Sequence, residues 1–156
     1  MSLRYIPMSD AEARRMREGG LDAYGNAPER QISDGDGVPC RHCLDYVEAG
    51  APYLVFALRP FSSLQPYAET GPVFMHAEAC PAHDGETLPP ILSSRDSYLL
   101  RGYGPDERIV YGTGDVITRE QQLETRANEL LARSDISAVH VRSTKYNCYQ
   151  CRIVTA

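Results

Sequence analysis

A chain of 156 residues with 42% hydrophobic and 24% charged side chains has ordinary globular composition, which argues against a disordered protein. The formal net charge of −5, with no long run of Lys or Arg, leaves no basis for unspecific binding to nucleic acid or an anionic membrane, because neutralising phosphates takes clustered cations. The length and the lack of internal repeats predict one domain over residues 1–156. No apolar run has signal-peptide or membrane-spanning length, so the expected location is the cytoplasm. Five cysteines in a reducing compartment point away from a disulfide framework, and an odd number cannot pair completely within one chain.

In chain order, "LRYIP" reads as a short first strand ended by Pro7. "SDAE" is a capping box, with Ser9 accepting from the backbone and Glu12 reaching back, and it opens a short N-terminal helix that runs to Arg17 and stops at Gly19-Gly20. Residues 21 to 37 read as loop, with "RQIS" as a brief strand. "APYLVFALRPF" and "GPVFMHA" are apolar strands, and "EACPAHDGETLPP" is irregular. "RDSYLLRGYGPDERIVYGTGDVI" reads as a hairpin with Gly104-Pro105-Asp106-Glu107 at its tip. Thr118 and Gln121 form a second capping box, opening one long helix over about residues 119 to 133. Its Leu123, Ala127, Leu130 and Leu131 make an apolar stripe that packs on a sheet. "ISAVHVRS" and "CYQCRIV" close the chain as strands. The expected fold is α+β, with a mixed, mainly antiparallel sheet packed against the long helix.

Two C-x-x-C pairs carry the sharpest chemical signal. Cys40, Cys43, Cys148 and Cys151 supply four soft ligands, which suits tetrahedral zinc. Arg41, His42, Lys145 and Arg152 would offset the thiolate charge. Geometry argues against this set, because in a regular strand residues i and i+3 face opposite sides, which would part Cys148 from Cys151. "PCRHC" has no such difficulty, since Pro39 opens a turn. Buried thiols, and a redox pair at Cys40 and Cys43, are the alternatives.

A second cluster, "FMHAEACPAHD", holds His76, Glu78, Cys80, His83 and Asp84. It reads as a mixed His/Cys metal site, as a Cys–His nucleophile pair, or as satisfied polar residues at a strand end. As an enzyme, the chain would use Cys80 or Cys40 as nucleophile and His76 as base, with Glu69 or Asp84 orienting it. Arg101 and Arg142, with Arg152, His140 and Glu69, lie on predicted strands; on one face they would bind a carboxylate or phosphate, and as salt-bridged surface groups they would not.

"VPCRHCL", "PYAETGPVFMHAEAC", "YLLRGYG", "IVYGTG" and "VHVRSTKYNCYQCRI" together resemble the bacterial domain-of-unknown-function family 1203, over about residues 38 to 154. The resemblance implies a small bacterial protein whose activity is unassigned, and it brings no catalytic residues. The sequence therefore leads us to expect a ligand- or partner-binding domain for a small molecule or a protein, with a zinc/cysteine site and self-association open to it. A thiol-dependent enzyme or a C-x-x-C redox protein is the alternative.

Overall fold

The computed structural model describes residues 2–156. Its strands are β1 (Leu3–Ile6), β2 (Glu29–Ile32), β3 (Pro52–Leu58), β4 (Gly71–His76), β5 (Ser97–Tyr103), β6 (Asp115–Thr118), β7 (Ala138–Ser143) and β8 (Tyr149–Thr155). Helix α1 spans Asp10–Arg17 and α2 spans Leu123–Leu131. The α+β class holds, but one expected sheet is two: five strands in the order β1-β8-β7-β5-β6 and three in the order β2-β3-β4. Every strand pair in both is antiparallel.

The two helices start differently. Ser9 Oγ accepts the Glu12 N–H at 3.1 Å, but the Glu12 carboxylate grips Arg15 instead of returning to the cap. At Thr118 the expected capping box forms, and the Thr118 N–H and hydroxyl both donate to Gln121 Oε1, at 2.8 and 3.1 Å. The expected long helix over 119–133 is corrected here. Arg119–Gln121 make a single 3-10 turn, Gln122 swings to φ +59°, and α2 runs for only nine residues. A left-handed residue breaks the helical hydrogen-bond ladder, so the apolar period continues in the sequence while the helix restarts.

The stripe of α2 is buried as its spacing requires: Leu123, Ala127, Leu130 and Leu131 pack with Leu100, Val139, Val141 and Ile153 under the larger sheet. A second core lies between α1 and the smaller sheet, built from Ala13 and Met16 of α1, Leu54 and Phe56 of β3, and Val73 and Met75 of β4. Burying each large apolar side chain contributes about 1.5–3 kcal/mol, which offsets the ordering of short strands. The turn at Gly104–Glu107 forms, with Glu107 N–H donating to the Gly104 carbonyl at 2.9 Å. It is no tight hairpin, however, because β5 pairs β6 only from Ser97–Thr118 to Leu100–Asp115. A Cβ on Gly102 would lie 2.8 Å from Ile136 Cδ1, so that side chain would have to shift to accept one.

The face of the larger sheet turned away from α2 is polar. His140 pairs in register with Arg101 on one side and Arg152 on the other. A bulge between Val141 and Arg142 brings Tyr149 onto that face as well, its ring centroid 5.2 Å from that of His140. Among the described residues no helix is long and apolar enough to cross a membrane.

Candidate metal centre

Pro39 pairs with Tyr46, and between them the chain folds into a knuckle: Leu44 N–H donates to the Cys40 carbonyl at 2.9 Å, with Leu44 at φ +58°. The turn expected of "PCRHC" is there, and it turns Cys40 and Cys43 toward the end of β4. His76 is the last residue of that strand, and the chain bends after it to bring Cys80 back. Cys40, Cys43, His76 and Cys80 each offer one donor atom, and all four atoms lie within 4.8 Å of one another. Such a Cys3His group could hold a metal ion.

The sulfurs of Cys40 and Cys80 are 3.9 Å apart, and Cys43 Sγ is 3.5 Å from His76 Nδ1. The Cys40 sulfur also accepts the His76 backbone N–H at 3.3 Å. Crowding the thiols spreads their affinities for protons. Cys40 is held far below the usual thiol range by hydrogen bonds from Cys43 and then Cys80. The Cys43 thiol is pushed up by the same bond to Cys40, and Cys80 is raised likewise. His76 is raised overall: burial opposes its protonation, but its bonds to Cys40 and Glu48 prevail.

A second layer surrounds the four. His76 Nε2 is 3.2 Å from Glu48 Oε2, which orients the ring so that Nδ1 faces the cluster. Arg17 donates to Cys80 Sγ at 3.1 Å, and His42 Nδ1 lies 3.2 Å from the same sulfur. His42 Nε2 in turn meets Asp10 Oδ1 at 2.7 Å. Cations and N–H donors directed at sulfur favour its thiolate form.

The set of Cys40, Cys43, Cys148 and Cys151 is not brought together. Cys151 points into the α2 core, where burial pushes its thiol up to about 12, and its Sγ faces the Ile6 carbonyl. Cys148 precedes β8 and lies by the Tyr146 carbonyl. All five cysteines are free thiols. Glu69, a candidate orienter, binds Arg101 at 2.6 Å and Arg142 at 3.7 Å instead. Asp84 lies 3.6 Å from His83 and caps the turn at Glu86 and Thr87.

Sequence reasoning missed Glu48, Asp10 and Arg17 altogether, and saw His42 only as a charge beside the cysteines. A usable signal existed: C-x-x-C followed by H-x-x-x-C is a complete tetrahedral ligand set within 41 residues. A family model described as "Protein of unknown function (DUF1203)" matches residues 37–154. No curated protein and no solved structure matches the chain.

Proposed function

The chain belongs to this family of unknown function, and on that premise we propose that it is a ligand- or partner-binding domain stapled by one zinc ion at Cys40, Cys43, His76 and Cys80. The observation that carries the reading is the spacing of the donors. Zinc bonds of about 2.3 Å to sulfur and about 2.0 Å to nitrogen set tetrahedral edges of about 3.8 Å between sulfurs and about 3.6 Å from sulfur to nitrogen. Two of the six edges match these values, 3.9 Å from the Cys40 to the Cys80 sulfur and 3.5 Å from the Cys43 sulfur to His76 Nδ1, and all six lie within 4.8 Å. Bound there, zinc supplies cohesion: four protein ligands leave no open position for water or substrate. Arg17 offsets the surplus negative charge of three thiolates, and His42 Nδ1 lies within hydrogen-bond reach of the Cys80 sulfur. Reduced thiols of this kind suit the cytoplasm.

One observation favours a second reading, a thiol-dependent enzyme. Cys80, His42 and Asp10 are linked at 3.2 and 2.7 Å, in the order nucleophile, base and orienting carboxylate.

Elemental mass spectrometry separates the two, on protein purified without chelator or metal-affinity resin. The expected result is one zinc per chain, lost in Cys80→Ser together with much of the thermal stability, and kept in Cys148→Ser. Structural zinc is worth on the order of 10–16 kcal/mol in small peptides, as much as a whole domain's stability, so chelation should unfold at least the smaller sheet. A metal-free protein in which Cys80 alone reacts fast with iodoacetamide, slowed by His42→Ala, would sink the staple and support the enzyme.

A further inference from the structure

Arg41, Arg59 and Arg152 line one cavity of about 350 Å³, set between the chain entering α1, the end of β3 and the polar side of β8. Among the described residues, none of the three has a carboxylate within ion-pair distance. Their neighbours Arg101 and Arg142, by contrast, share Glu69. The one acid in the cavity wall, Glu12, has both oxygens engaged by Arg15, at 3.1 and 2.9 Å. The cavity thus carries uncompensated positive charge.

Arg41 is only 2% exposed, and its guanidinium is pinned by the carbonyls of Tyr149 at 2.8 Å and Pro39 at 2.7 Å. A buried charge without a counter-ion is costly, and a fold that holds one in a cavity is built to receive the opposite charge. Two further groups there lack partners: Arg59 Nε is a buried donor, and Gln150 Oε1 is a buried acceptor on a side chain 2% exposed. The Gln150 amide nitrogen is already spent on the Cys148 carbonyl at 3.0 Å. Ile6, Met8, Leu58 and Tyr149 supply the apolar part of the wall.

Resting on the binding-domain reading, we propose that this cavity binds a small organic oxyanion, a carboxylate- or phosphate-bearing molecule, on the guanidinium groups of Arg41, Arg59 and Arg152. Guanidinium forks match both kinds of oxyanion. Gln150 Oε1 accepts a hydroxyl or amine of the ligand's body, and the apolar wall covers the rest. The volume lies within the range of small-molecule sites, about 300–1,000 Å³.

The metal centre bears on this cavity directly. Arg41 sits between ligands Cys40 and Cys43, its N–H bonded to the Phe74 carbonyl at 3.1 Å and its carbonyl to Met8 N–H at 2.8 Å. Fixing the two cysteines fixes the arginine.

The test is calorimetric titration of the as-purified protein with inorganic phosphate and, separately, succinate, at constant ionic strength. At least one probe should saturate a single site. Arg59→Gln and Arg152→Gln should each weaken it about tenfold or more, while Arg133→Gln, whose partner is Asp135, should not. Saturation by phosphate alone assigns a phosphate-bearing ligand, and by succinate alone a carboxylate. Heats that stay linear for both probes, or pocket variants that remain folded and bind as tightly as wild type, overturn the proposal. Zinc content measured on the same sample keeps the readings apart: zinc without binding removes the cavity's ligand only, and binding without zinc removes the staple only.

Discussion

At His140 the larger sheet buries an imidazole among Tyr103, Phe61 and Tyr149, with ring centroids 4.3, 5.2 and 5.2 Å away. The ring stays neutral when folded, because burial and three arginines hold its pKa near 3, whereas an unfolded histidine titrates near 6.5. Only the unfolded chain takes up this proton between those values, so stability falls as pH drops from about 6.5 toward 3 and is fully present above. The slope from one such group reaches about 1.4 kcal/mol per pH unit. In urea titrations across that window, His140→Leu should lose this slope relative to wild type. Equal slopes would mean that His140 is protonated in place. The same scale shows what sequence can and cannot tell of the metal centre. Cys40, Cys43, His76 and Cys80 each stand out by residue type, yet they sort into two clusters because identical C-x-x-C spacing invites pairing like with like. Space groups them by which strand end meets which turn, and the spacing that reports it is the less familiar C-x-x-C followed by H-x-x-x-C.

Within elements, short-range chemistry was legible and backbone reversals were not. Pro7, Gly19-Gly20 and the buried stripe of α2 fall where propensity and periodicity place them. The break at Gln122 had no signal, since glutamine favours a helix and yet takes a φ of +59° here. That conformation costs a residue with a side chain about 1–2 kcal/mol. Gln122→Gly removes the cost, less what glycine loses in chain entropy, so a net gain of up to about 1 kcal/mol is expected. In a thermal melt this is a rise of about 2–4 °C. Gln122→Ala should bring no rise. If glycine lowers the melting temperature instead, the glutamine side chain is worth more than the strain.

On the scale of the whole molecule, strand patterns were readable but their partition into two sheets was not. Alternation reports that a strand has a buried face and is silent about which other strands complete its sheet. The family match begins at residue 37, yet Asp10 and Arg17, which reach the metal centre through His42 and Cys80, come from before it. The two sheets also differ in when their parts become available. The strands of the smaller sheet, its core and all four cluster residues lie between residues 13 and 80, whereas β1 must wait for β8, since Leu3 pairs with Thr155. A chain emerging from the ribosome therefore has the half that carries the Cys3His cluster complete before the larger sheet's second half exists, and β1 stays unpaired until the last strand is made. Contacts close in sequence cost less entropy to close, so refolding should keep this order. In pulse-labelled hydrogen exchange, amides of β3 and β4 should gain protection before those of β1; simultaneous protection would mean that the two sheets form as one cooperative unit.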